Sequence, residues 1–143
     1  MRVMVLVKAD EHSEAGEMPS EEMIAAMMVF NEELVKAGVM LDGDGLQPSS
    51  RGVRIHFVGD EREVVPGPFA ATRELVAGYW LWNVASLDEA IAWARKCPRP
   101  MTGDCDLELR PVFEAQDFGD SFTPELQAQS ERLRDELARR PAG

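Results

Sequence analysis

The polar side chains that interrupt apolar patterns are where this chain offers chemistry. Asn31 breaks a helical stripe of Ile24, Met28 and Val35. An amide set among apolar neighbours needs hydrogen-bond partners, or it costs ~1–3 kcal/mol. A backbone group of a neighbouring loop can supply them, and so can a ligand in a pocket. Arg54 and His56 share one side of a run in which Val53, Ile55 and Phe57 take the other. A lone histidine on an exposed strand is incidental, and it is the nearby arginine that gives the pair interest. Glu108 and Arg110 share one side of a later run. They form either a surface ion pair of little weight or a carboxylate and guanidinium offered to a substrate acid. Asp44 lies between two glycines and reads as a turn residue. His12 sits with Asp10, Glu11 and Glu14 in a polar stretch whose mixed carboxylates make a poor metal site. Cys97 and Cys105 lack metal-ligand spacing and are expected as free thiols. The chain has no phosphate loop, zinc ligand set, nucleophile elbow or dinucleotide fingerprint, so no metal or cofactor is expected.

The elements that must position these residues follow from periodicity and caps. RVMVLVK, residues 2–8, reads as a central strand buried on both faces, and the polar stretch after it reads as a surface loop. Ser20 caps a helix that buries a wide face of Met23, Met27, Phe30 and Leu34 with the adjoining Ile24, Met28, Asn31 and Val35; Gly38 stops it. A short strand over 39–46 precedes a β-hairpin at 52–65 that turns at Gly59-Asp60. Residues 71–77 leave a helical turn and an extended approach equally open, and 78–84 is an aromatic-rich strand. Ser86 and Glu89 form a capping box for a helix with a stripe of Leu87, Ala90, Ile91 and Ala94, which Pro98 ends. Residues 105–112 alternate, with Leu107 and Leu109 on one face. Thr123 and Pro124 open a last amphipathic helix carrying Leu126, Ser130, Leu133 and Leu137.

With the hairpin set aside as an insertion, the order is strand, helix, strand, strand, helix, strand. That order predicts an α+β, ferredoxin-like fold with two helices on one face of an antiparallel sheet. The strands at 3–7 and 79–84 are too apolar to leave the other face wet, so a homodimer covering it is expected. A net charge of −11 over 143 residues argues against nucleic acid as a partner, because phosphate needs clustered Lys and Arg. No apolar run approaches the ~20 residues of a membrane span, and no signal-peptide pattern opens the chain, so a cytoplasmic protein with no membrane partner is expected.

The early strand RVMVLVK, MMVFNEELVKAGV followed by GDGLQP, GPFAATRELVAGYWLWNV, SLDEAIAWARKCP and LELRPV together resemble the YCII-related superfamily, and within it the DGPF-domain proteins. The resemblance spans residues 1–113 and leaves 114–143 as a linker and C-terminal helix. Pro66 stands where the motif usually has Asp, which favours a structural role: a turn aiming Phe69 into the core. The resemblance implies a dimeric α+β barrel, two ferredoxin-like sheets closing around a shared interior. Its relatives are built around a His–Asp pair, whose helix position falls at Asn31 and whose carboxylate falls at Asp44, so the pair is broken here. The expected function is small-molecule binding, or a small-molecule enzyme, with Asn31, Asp44, His56 and Arg110 contributing polar contacts to a pocket in the barrel. The alternative is a non-catalytic protein–protein interaction or regulatory module.

Overall fold

The structure, a computed structural model, describes residues 1–141. Strand β1 (Arg2–Lys8) is followed by a one-turn helix α1 (Glu11–Glu14), helix α2 (Glu21–Lys36) and strand β2 (Met40–Gly45). A hairpin of β3 (Val53–Val58) and β4 (Glu61–Pro66) leads to β5 (Val76–Asn83), α3 (Leu87–Arg95) and β6 (Leu107–Pro111). Strands β2, β5, β1 and β6 form one antiparallel sheet in that order, and β3 and β4 pair only with each other. Four strands in this order, with α2 and α3 between them in sequence, are consistent with the ferredoxin-like arrangement, with the hairpin as the insertion.

One face of the sheet meets the helices. Val3, Val5 and Val7 of β1, Trp80 and Trp82 of β5, Phe30 and Leu34 of α2, and Ala90 of α3 form the buried core. Phe30 stands edge-on to both indoles, at centroid distances of 5.8 and 6.4 Å. The opposite face carries Met4, Leu6, Tyr79 and Leu81, all half-buried. Strand β1 is therefore central but fully buried on one face only.

Local cap signals mark the helices as expected. Ser20 accepts from the Met23 N–H, Ser86 from the Glu89 N–H, and Gly38 follows α2 with φ +71°. The buried faces differ from the sequence expectation. On α2 Met27, Phe30 and Leu34 pack into the core and Met23 and Asn31 are half-buried, while Ile24, Met28 and Val35 are exposed. On α3 the buried stripe is Ala90, Trp93, Ala94 and Cys97, and Leu87 and Ile91 turn outward. The stretch expected as a loop contains α1, and residues 72–74 form a 3-10 turn before β5 begins.

The chain divides into two compact units, Met1–Val112 and Phe113–Gly143. The second unit has a 3-10 segment, Ala115–Ser121, and helix α4 (Pro124–Arg139), capped by the Thr123 hydroxyl on the Leu126 N–H. Phe118 stacks on Phe113 there, with ring centroids 4.9 Å apart, and meets Phe122 at a tilt, with centroids 5.4 Å apart. Among the described residues no helix is long and apolar enough to cross a membrane.

Candidate functional site

A cleft of about 310 Å³ opens where the hairpin joins the sheet, and four segments distant in sequence build it. The first begins at Asp10, which is 1% exposed. Its carboxylate accepts from the Ser13 N–H at 2.8 Å and the Gly103 N–H at 3.4 Å, while the Ser13 hydroxyl accepts from the Asp10 N–H. Burial alone would raise the Asp10 pKa, but these donors and the nearby His12 outweigh it and hold the carboxyl below its usual range. This cap folds residues 11–14 into a single turn, which sets Glu14 facing the second segment. There one Glu14 oxygen accepts from the Ser49 N–H at 2.9 Å, and the other accepts from the Ser49 hydroxyl.

The third segment is Gly67-Pro68-Phe69. The Phe69 N–H donates to Ser49 Oγ at 3.0 Å, and the Gly67 N–H donates to the Gly52 carbonyl at 2.9 Å. A Cβ at Gly67 would lie 1.8 Å from the Ser49 carbonyl oxygen, so only glycine allows this approach. The turn does not aim Phe69 into the core, as the sequence suggested. It holds the ring half-buried at the cleft, beneath Arg54 of β3, whose guanidinium carbon stands 3.9 Å from the ring centroid. Cation and ring attract through the ring quadrupole, a contact that engages the face of the guanidinium carbon and takes up none of its N–H donors. Among the described residues, no carboxylate lies within ion-pair distance of Arg54. Gln47, Glu74, Leu75 and Val76 complete the lining. Neither histidine lines the cleft: the His12 ring pairs with Glu17, and His56 stands opposite Glu63 on the exposed hairpin. The arrangement can orient and hold a ligand; no imidazole stands beside Ser49 to activate it.

The residues singled out by sequence occupy other places. Asn31 Oδ1 accepts from Trp80 Nε1–H at 2.9 Å, so its partner is an indole at the core margin and not a loop backbone. Trp80 faces the helices, which puts Asn31 across the sheet from Asp44 and Arg110. Those two lie on the uncovered face but on opposite edge strands, three strand spacings or about 14 Å apart. Arg110 donates to Glu108 Oε2 at 3.2 Å, and Lys8 Nζ stands 3.6 Å from Glu108 Oε1. Both cations hold the Glu108 carboxyl below its usual range, Arg110 the more strongly. On the other edge, Tyr79 donates to Asp42 Oδ2 at 3.3 Å, and the charges of Asp42 and Asp44, with partial burial, push the phenol up. Glu14 and Ser49 carry no pattern of their own in the sequence. The signal for the first was Asp10 three residues before Ser13, a capping box in a stretch too short for periodicity to register.

A second cleft, of about 410 Å³, lies between the end of α3 and the approach to β6, lined by Cys97, Arg99, Asp104 and Cys105 among others. Both cysteines are free thiols, and burial pushes Cys97 up to about 11, which leaves little thiolate for chemistry at neutral pH. Among the described residues no group of three metal-ligating side chains occurs.

Comparison with known proteins gives an uncharacterised protein of Rhizobium meliloti (strain 1021), 29% identical over 92 residues, which is 64% of this chain and 74% of that protein. Residues 1–115 match the model of the YCII-related domain, taking in the whole sheet, both its helices and every residue of the hairpin cleft, and on that match this chain belongs to the YCII-related family.

Proposed function

We propose that this protein binds a small molecule bearing an acid group, seated in the cleft at the base of the hairpin. The observation that carries this reading is Arg54: a guanidinium held over the Phe69 ring, with no carboxylate partner among the described residues, lining a cleft of ligand-binding size. Arg presents a planar fork that matches a carboxylate with two parallel hydrogen bonds. A screen of small carboxylic acids by ligand-observed NMR, run on the wild type and on Arg54→Gln, tests it. Acids that bind the wild type and lose contact in the variant are the expected result. Binding to neither protein, or equally to both, overturns it.

The same reading takes the functional unit as a homodimer, its uncovered sheet faces closing on each other. The half-buried Met4, Leu6, Tyr79 and Leu81 support this, flanked by an acidic edge at Asp42 and Asp44 and a basic edge at Arg110. A two-fold axis along the strands sets each acidic edge against the partner's basic one. Asp44 and Arg110 then line the shared interior, the barrel expected from the sequence. Asn31 contributes by holding Trp80, and His56 sits on the arm beside the cleft.

One observation favours the second reading, an interaction module: the hairpin bears an exposed apolar face of Val53, Ile55, Phe57 and Val64. Replacing Ile55 and Phe57 with Thr leaves ligand binding intact under the first reading. Under the second it removes the protein's only activity, capture of a protein partner.

A further inference from the structure

The charges around Arg54 narrow the ligand beyond an acid. The cleft is lined by one cation, Arg54, and two carboxylates, Glu14 and Glu74. Glu14 spends both oxygens on Ser49. Glu74 is engaged through its backbone, its N–H donating to the Ala71 carbonyl at 2.8 Å and its carbonyl accepting from Lys8 Nζ at 3.3 Å, and among the described residues its carboxylate takes part in no ion pair or hydrogen bond. Two residues lining one cleft therefore carry an unneutralised guanidinium and an unneutralised carboxylate that do not pair with each other. Each loses water when a ligand enters and needs an opposite charge in exchange. A dianion such as a phosphate monoester satisfies Arg54 but faces two carboxylates. A molecule carrying an acid and an ammonium satisfies both ends.

Resting on the reading of this cleft as a small-molecule site, we infer that its ligand is a zwitterion of the α-amino-acid class. The carboxylate pairs with the Arg54 edge, the ammonium pairs with Glu74, and an apolar side chain lies against Phe69, Leu75 and Val76. The volume of about 310 Å³ sits at the small end of the ~300–1,000 Å³ range for ligand sites, which suits one amino acid. Gln47 adds an amide at the rim, able to donate to the carboxylate or accept from the ammonium.

Calorimetric titration with L-leucine, L-valine, L-methionine and L-phenylalanine, each beside its N-acetyl derivative and its primary amide, tests the inference. At least one free amino acid is expected to bind, with both derivatives weaker by about tenfold or more. Arg54→Gln should abolish binding. Glu74→Gln should weaken the free amino acid by about tenfold and leave the corresponding N-acetyl acid unchanged. Both positions are exposed, and circular dichroism of each variant checks that the fold is kept. If N-acetyl acids bind as well as free amino acids, or if Glu74→Gln changes nothing while Arg54→Gln still abolishes binding, the zwitterion inference fails and the acid-binding reading survives. If the wild type binds none of these compounds and no simple carboxylate, both fail together.

Discussion

Asp10 does more for the site than any residue that touches the cleft. It caps α1, ties the 101–105 segment to it through Gly103, and so fixes where Glu14 points. Asp10→Ala is expected to cost about 2 kcal/mol, from the lost cap and the donors left buried without a partner. Urea unfolding measures it. The pH dependence has a definite sign. The folded-state pKa lies below the unfolded one, so the stabilisation is complete above the ordinary carboxylate range and is lost as pH falls through the folded value. The gap between wild type and Asp10→Asn should therefore shrink as pH falls below the ordinary Asp value of about 3.9. The two core indoles make a second comparison. Trp80 satisfies Asn31, whereas the Trp82 N–H is buried with no partner among the described residues. Trp80→Phe orphans the Asn31 oxygen and Trp82→Phe removes an orphan, so the first should cost about 1–2 kcal/mol more, although both create a cavity. Equal losses would mean that the Asn31 contact contributes nothing.

At the scale of elements, the hairpin and its anchor behave differently. Every residue of β3 and β4 is exposed, and a two-stranded ribbon without a core is marginal by itself. Hydrogen exchange should show the amides of 53–66 opening far more readily than those of β1 and β5. The anchor at Gly67 is rigid by contrast, because its backbone rests on the Ser49 carbonyl. Gly67→Ala forces the two turns apart and is expected to cost about 2–4 kcal/mol in thermal unfolding, with loss of acid binding. The same contrast explains what could be read from the sequence. Caps at Ser20, Ser86 and Thr123 and the stop at Gly38 are local chemistry, legible in a few residues. The buried face of α2 was not, since Ile24, Met28 and Val35 repeat with the same period as Met27, Phe30 and Leu34, and periodicity cannot say which stripe meets the sheet. The cleft was least legible. Glu14, Ser49, Arg54 and Phe69 are brought together by turns and a glycine contact, and no spacing along the chain encodes that meeting.

For the whole molecule, the sheet face opposite the helices is the surface on which the dimer proposal is tested. Light scattering at micromolar concentration is expected to return twice the mass of one chain. Leu6→Glu, on the middle of that face, should return the single-chain mass while keeping the helix-side core and a cooperative melt. A wild-type protein of single-chain mass would remove the dimer proposal and leave the hairpin cleft, which one chain builds alone, unaffected.

The position of β1 has a consequence for how the chain acquires its structure during synthesis. It leaves the ribosome before both of its sheet partners among the described residues, β5, from residue 76, and β6, from residue 107. Until β5 arrives, an apolar Val-rich segment has both of its hydrogen-bonding edges unsatisfied, the condition under which nascent chains pair with the wrong neighbour. Only α2 can shelter it in the interval, by laying Phe30 and Leu34 against the valines. Substitutions there, such as Leu34→Ala, should therefore lower soluble yield in rapid expression by more than their effect on the melting temperature accounts for, and slower synthesis should restore it.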